Sequence, residues 1–165
     1  MTTFSNHSRI WRSAFFATGP VAAAAVLGNL ATTPNLVPWY AHLAKPAFNP
    51  PNWLFAPVWT TLYVLMAFAF WRILQMRLTT PGRRAAIWTF LAQLALNAAW
   101  PWLFFAGHDP RTGFFEIVVQ FVAVLAALME FRRLDRLAGW CLVPLAFWVG
   151  FATILNLAIW RLNGG

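Results

Sequence analysis

The stretch "WYAHLAKPAFNPPNWLFAPVWTTLY", Trp39 to Tyr63, decides the fold. Its first half carries Pro46, Pro50 and Pro51 with one Lys, and its second half is uncharged and apolar. Proline restricts φ and removes a backbone donor, so the first half reads as a stiff connection. The apolar half needs a solvent, and composition names it. The chain has 165 residues, 61% hydrophobic and 10% charged, with mean hydropathy +0.61. Soluble domains are about 25% charged. A chain this small has too much surface for its volume to hide so many apolar side chains, so lipid is the expected solvent.

Working outward from that stretch, five apolar runs appear. Ser13–Ala31, Leu54–Trp71, Ala85–Gly107 and Leu137–Trp160 are uncharged, and Thr112–Met129 contains only Glu116. About 20 residues at helical rise cross the hydrocarbon core. Backbone polar groups in lipid must satisfy one another, so each run is expected to be a helix. The expected fold is an all-α integral membrane protein, a bundle of five transmembrane helices in one domain over residues 1–165. The spans are drawn over about 13–31, 54–77, 85–107, 112–132 and 137–161, with a long first loop over 32–53. The fourth is the weakest because Glu116 must snorkel or be covered by neighbours. A signal peptide is the rival reading of the first span. The run is long for that role and "GNLATTP" lacks a good small-x-small cleavage site, so a retained helix is preferred.

Charge supports five spans. Net charge is +8, but the basic residues sit between apolar runs rather than in a nucleic-acid patch. Five spans put Arg9, Arg12, Arg72, Arg77, Arg83, Arg84, Arg132, Arg133 and Arg136 on one face and Lys45, Arg111 and Arg161 on the other. Nine against three predicts a cytoplasmic N-terminus in a bacterial cell membrane. The single Cys141 excludes a disulfide framework.

Eleven tryptophans sort by depth. Trp11, Trp71, Trp88 and Trp140 at one face, and Trp39, Trp53, Trp102 and Trp160 at the other, suit an interfacial belt. Trp59 and Trp100 fall about 8–10 Å inside their spans at helical rise. Trp148 is central, so its N–H needs an internal partner or a ligand. Gln93 and Asn97 stand i, i+4 on the third span, and Trp148, Ala152 and Asn156 form a stripe on the fifth. One reading is that these amides bond helices together. The other is a pocket in the outer half, floored by Trp148 and walled by Trp59, Trp100 and Asn97, with small Ala152 leaving room for a flat ligand. The Pro-stiffened loop is then a cap over its mouth. No metal-ligand spacing, phosphate loop, Ser/His/Asp set or paired carboxylates is found. His7 falls in the N-terminal tail, and His42 and His108 in loops, so axial ligation of a haem by any of them is not expected. No buried titratable residue suggests ion-coupled transport.

These residues resemble a known family. The opening stretch is similar to the first-loop and second-helix signature of the TspO/MBR family, the translocator proteins formerly called peripheral-type benzodiazepine receptors. "QLALNAAWPWLFF", Gln93 to Phe105, resembles its third-helix motif, and "PLAFWVGFATILNLAIWRLN", Pro144 to Asn163, its fifth helix. The resemblance covers about residues 15–163. It implies a five-helix bundle, often a homodimer, that binds tetrapyrroles such as protoporphyrin, sterols in some members, and benzodiazepine-type drugs. Positions matching the family's ligand pocket are Trp59, Asn97, Trp100, Trp148 and Ala152, with Trp39 and Trp53 from the loop region. The role implied is a receptor, scavenger or carrier with porphyrin as ligand and no required cofactor. The alternative implied is a catalyst of light-dependent porphyrin breakdown, with Trp59 and Trp148 as the candidate residues. Lys45 or Arg161 is placed to meet porphyrin propionates. Leu157 stands where the sterol-recognition pattern of animal members has Tyr, which argues against strong sterol binding. The expected partners are a tetrapyrrole or another hydrophobic small molecule, membrane lipid and a second copy of the chain, with no nucleic acid.

Overall fold

The computed structural model describes the backbone of residues 3–164 and the side chains of residues 10–164. His7 and the side chain of Arg9 therefore lie outside the described side chains. Five helices follow in order: α1 Thr3–Thr32, α2 Asn52–Gln75, α3 Arg83–Pro101, α4 Pro110–Leu134 and α5 Arg136–Leu162. α3 continues into a π-helical turn, Trp102–Ala106. The chain is an all-helical membrane bundle. α1, α2, α4 and α5 are long and apolar enough to cross a membrane. Contrary to the expectation from Glu116, α4 is among them and α3 is the marginal helix. α3 has only 19 residues and carries Arg83, Arg84, Gln93 and Asn97. The carboxylate oxygens of Glu116 are both buried without a hydrogen-bond partner. That overturns the expectation that no titratable group is buried.

Helix ends explain how the connections stay short. Gly82, at φ 79°, precedes α3 in a left-handed conformation that favours glycine. Arg83 is buried, and its guanidinium donates to the carbonyls of Ile73 and Leu74, both at 3.1 Å. It thus satisfies the Leu74 carbonyl at the end of α2 and joins the Met76 N–H on that of Ile73. Asp109 accepts from the N–H groups of Arg111 and Thr112 and caps α4. Asp135 alone joins α4 to α5: it accepts from Ala138 N and pairs with Arg72 of α2 at 2.7 Å. Burial opposes ionisation of Asp135, but the Arg72 and Ala138 hydrogen bonds with the Arg72 charge outweigh it and hold the carboxyl below its usual range.

The core runs along the bundle axis. On α4 the buried positions are Gly113, Ile117, Gln120, Val124, Ala127 and Phe131, spaced alternately by four and three. Near the basic end, Phe90 stacks between Phe70 and Phe131 with ring centroids 4.5 and 5.3 Å away. The opposite end, below the first loop, is hollow.

Candidate ligand-binding site

The hollow is a cavity of about 440 Å³, within the range of small-molecule sites. Its deepest liners, Tyr63, Gln120, Trp148 and Val149, lie about 15–20 Å along their helices from the loop end. The exposed liners Asn29, Thr33, Asn52, Ala56 and Thr60 belong to the adjoining ends of α1 and α2, so the cavity opens between those helices.

The first loop roofs it. Thr33, Leu36 and Tyr40 line the cavity from above. The roof is latched to the bundle at two places and bonded within itself at a third. Asn163, just past α5, donates to Ala44 O and accepts from Ala44 N, both at 2.9 Å. Asn35 and His108 share a 2.8 Å hydrogen bond, and Trp39 stacks on the His108 ring at 4.8 Å. Tyr40 is buried, with its hydroxyl 3.2 Å from Asn49 Oδ1. Burial pushes the Tyr40 phenol above its ordinary value, and the Asn49 bond only partly offsets this. Lys45 does not reach out for an anion. Its ammonium donates to the carbonyls of Tyr40, Leu43 and Ala41 and lies 4.5 Å over the Tyr40 ring. Arg161 is exposed at the loop end.

Of the residues singled out from sequence, Trp59, Asn97, Trp100, Trp148 and Ala152 line this one cavity. Trp39 and Trp53 do not. Trp39 stands one layer behind, edge-on to Phe104 at 5.4 Å, and braces the wall. Trp53 is exposed and lines a separate apolar groove between α2 and α5. Trp148 borders both spaces and is the partition between them.

The polar groups divide by commitment. Trp100 donates its indole N–H to Gly113 O and Asn156 Oδ1, both at 3.1 Å, and Asn156 donates to Pro110 O at 2.7 Å. Trp100 and Asn156 therefore fasten α3, α4 and α5 together. Gly113 permits this: a Cβ there would come within 3.0 Å of Phe104 and 3.2 Å of Asn156 Oδ1. Asn97 serves both readings, since its Oδ1 accepts from Tyr63 at 3.0 Å and the residue also lines the cavity. Gln93 lies outside the cavity lining; its Nε2 reaches Met66 Sδ at 3.9 Å and its Oε1 is buried without a partner. No protein acceptor takes the indole N–H of Trp59 or Trp148 among the described residues. Sequence reasoning missed Gln120, Phe104 and Phe105 as wall residues. The alternating four–three spacing on α4 was the available signal for Gln120. The described residues include no group of three His, Cys, Asp or Glu side chains placed to hold a metal ion.

Comparison with known proteins agrees with this architecture. Residues 16–161 match the model of the TspO/MBR family. The chain is similar to the tryptophan-rich sensory protein of Cereibacter sphaeroides, 38% identical over 142 residues, covering 84% of this chain and 87% of that one. It is similar to the tryptophan-rich protein TspO of Chlorobaculum tepidum, 36% identical over 132 residues, 79% of this chain and 84% of that protein. It is also similar to the human translocator protein, 33% identical over 128 residues, 77% of this chain and 76% of that protein. Five helices, a roofed cavity at one end and a family match that spans all of them lead to one assignment: the chain belongs to the TspO/MBR family.

Proposed function

We propose that this membrane sensory and binding protein takes a tetrapyrrole, protoporphyrin IX or a haem-related molecule, into the roofed cavity and acts as sensor, scavenger or carrier. One observation supports this reading above the rest. Trp59, Trp100 and Trp148 enclose a single apolar hollow with small Ala152 between walls. Indole faces stack well on a flat aromatic macrocycle. The cavity mouth between α1 and α2 leaves room for the propionates at headgroup level, with Arg161, exposed at the loop end, as the remaining candidate cation now that Lys45 is held by loop carbonyls. Other flat hydrophobic molecules, including benzodiazepine-type drugs, fit the same description. Titrating protoporphyrin IX into protein in lipid nanodiscs tests the reading. Trp148→Ala is expected to weaken binding by about 1–3 kcal/mol. Equal affinity of wild type and variant would reduce Trp148 to a packing residue.

A second reading, light-dependent breakdown of the bound porphyrin, draws on Trp59 and Trp148, whose N–H groups have no partner among the described residues and stand beside the ligand space. Illuminating the complex in air separates the two. A new product spectrum that needs both tryptophans supports breakdown, and quenching without product supports binding alone. The reading also includes a homodimer in a bacterial cell membrane with the N-terminus in the cytoplasm. The arginines of the α2–α3 and α4–α5 connections share one end. A C-terminal alkaline phosphatase fusion is expected to be active, and an inactive fusion reverses the orientation. Cross-linking through α3 tests the dimer; monomers at every position count against that face.

A further inference from the structure

Among the described residues, Gln120 is the one buried side chain of the cavity whose polarity the protein itself leaves unanswered at both ends. It is 2% exposed and lines the cavity floor beside Ile117 and Val149. It stands ten residues into α4, about 15 Å from the loop end. Neither its amide oxygen nor its amide nitrogen makes a hydrogen bond to another described residue. Two other polar side chains of the lining are engaged elsewhere: Asn156 with Pro110 and Trp100, and the Tyr63 hydroxyl with Asn97. Gln93, one turn below Asn97, has a buried oxygen without a partner of its own. A buried amide without partners is costly, and at this depth the bilayer offers nothing in exchange. Its place in the spaced core stripe of α4 means that it cannot swing outward to the headgroups.

We infer that Gln120 is a specificity-determining residue: it selects, among flat hydrophobic ligands, those whose leading end carries a hydrogen-bonding group such as an amide, a carbonyl or a ring N–H. A ligand that is apolar throughout strands the glutamine amide or leaves a water trapped with it. A ligand with a polar leading end replaces that water and completes the pair. The inference rests on the cavity being the binding site, as proposed above, and adds what the site selects.

The probes are benzanilide and trans-stilbene, two diphenyl molecules of similar length and flatness that differ by an amide in place of an alkene. Each is titrated by tryptophan quenching into wild type, Gln120→Met and Gln120→Leu in the same nanodiscs, with empty nanodiscs correcting for lipid partition. Wild type is expected to prefer benzanilide by about ten-fold after that correction, the scale of one hydrogen bond to a buried polar group. Both variants are expected to lose the preference, to keep stilbene binding, and to melt no lower than wild type when ligand-free. An equal preference in wild type and Gln120→Met overturns the role of Gln120 and leaves the cavity standing as the site. No corrected preference in wild type overturns it without any variant having to fold. Failure of both probes to bind wild type removes the cavity as a site, and the inference with it.

Discussion

The two halves of the bundle use the same helices for opposite ends. Toward the basic end the interior is solid: Phe70, Phe90 and Phe131 stack, Met66, Ile73 and Leu142 fill the space around them, and α4 turns into α5 over a single residue. Toward the loop end the same helices part around about 440 Å³, closed above by a 19-residue connection between α1 and α2. The difference lies in what each position contributes. In the solid half, core positions carry mostly phenylalanine and aliphatic groups, with Gln93 beside Met66 and Arg83 on the end of α2 as the polar exceptions. In the hollow half they carry Tyr63, Asn97, Trp100, Gln120, Trp148 and Asn156, some of which bind helices together while others face the cavity. A rigid base is what lets the other half stay open: void is tolerated where the walls are held apart by something else.

The contrast is open to direct attack. The largest effect is expected from Phe90→Ala, which should lower stability by about 3–5 kcal/mol, since it empties the middle of the stack. Trp148→Ala should cost far less stability while weakening porphyrin binding as stated above; denaturant melts of both variants measured beside titrations decide it. Equal destabilisation would mean the two halves are packed alike. Gly139→Ala comes next. A Cβ at Gly139 would fall 2.7 Å from Arg132 Cα, which cannot rotate away. A loss of about 1–3 kcal/mol is expected, read as a lower melting temperature with little change in relative ligand preference.

A smaller effect, confined to the hollow half, is expected from Asn163→Ala. Losing the two bonds to Ala44 should cost about 1 kcal/mol each at most and speed hydrogen exchange in residues 40–46. Exchange in the solid half should not change; if it does, the roof and base are one cooperative unit. The smallest effect is that of pH on the basic end. The Asp135 carboxyl is held below its ordinary value in the folded protein. Its contribution is therefore complete above about pH 4, the unfolded value, and fades as pH falls through the lower folded value. The loss should be about 0.5–1 kcal/mol. Melting temperatures in detergent between pH 6 and pH 3 should fall in wild type and fall less in Asp135→Asn.

Particular residues show how far the chain could be read in advance. The five helices were readable because lipid allows apolar runs no other structure. The order of difficulty was not. Glu116 drew doubt to α4, whereas polar Gln93 and Asn97 make α3 the marginal helix. The π-helical turn after Pro101 gave no sign in a run that reads as uninterrupted helix. Depth along the spans points to Trp59, Trp100 and Trp148, which the bundle brings to the wall of one cavity, since depth and helical phase together place a side chain. Trp39 sits in the first loop, where no helical phase applies, and Trp53 in the first turn of α2, on the face that borders the outer groove rather than the cavity. Loop contacts through Asn35 and His108 decide that Trp39 braces the wall. Lys45 seemed free because charge is visible in a sequence and the carbonyls that hold it are not.

Alone, the chain of residues determined a membrane bundle of five helices, its basic and loop ends, and a set of aromatic and amide groups too deep to be anchors. Hydropathy and helical rise are local quantities, so one dimension suffices to read them. Only the folded bundle decided which of those groups spend their hydrogen bonds on each other and which keep them for the cavity. Such pairing depends on distances between helices far apart in sequence, as between Trp100 and Asn156. That is why Gln120 passed unnoticed among the apolar residues of α4 until its neighbours were in place.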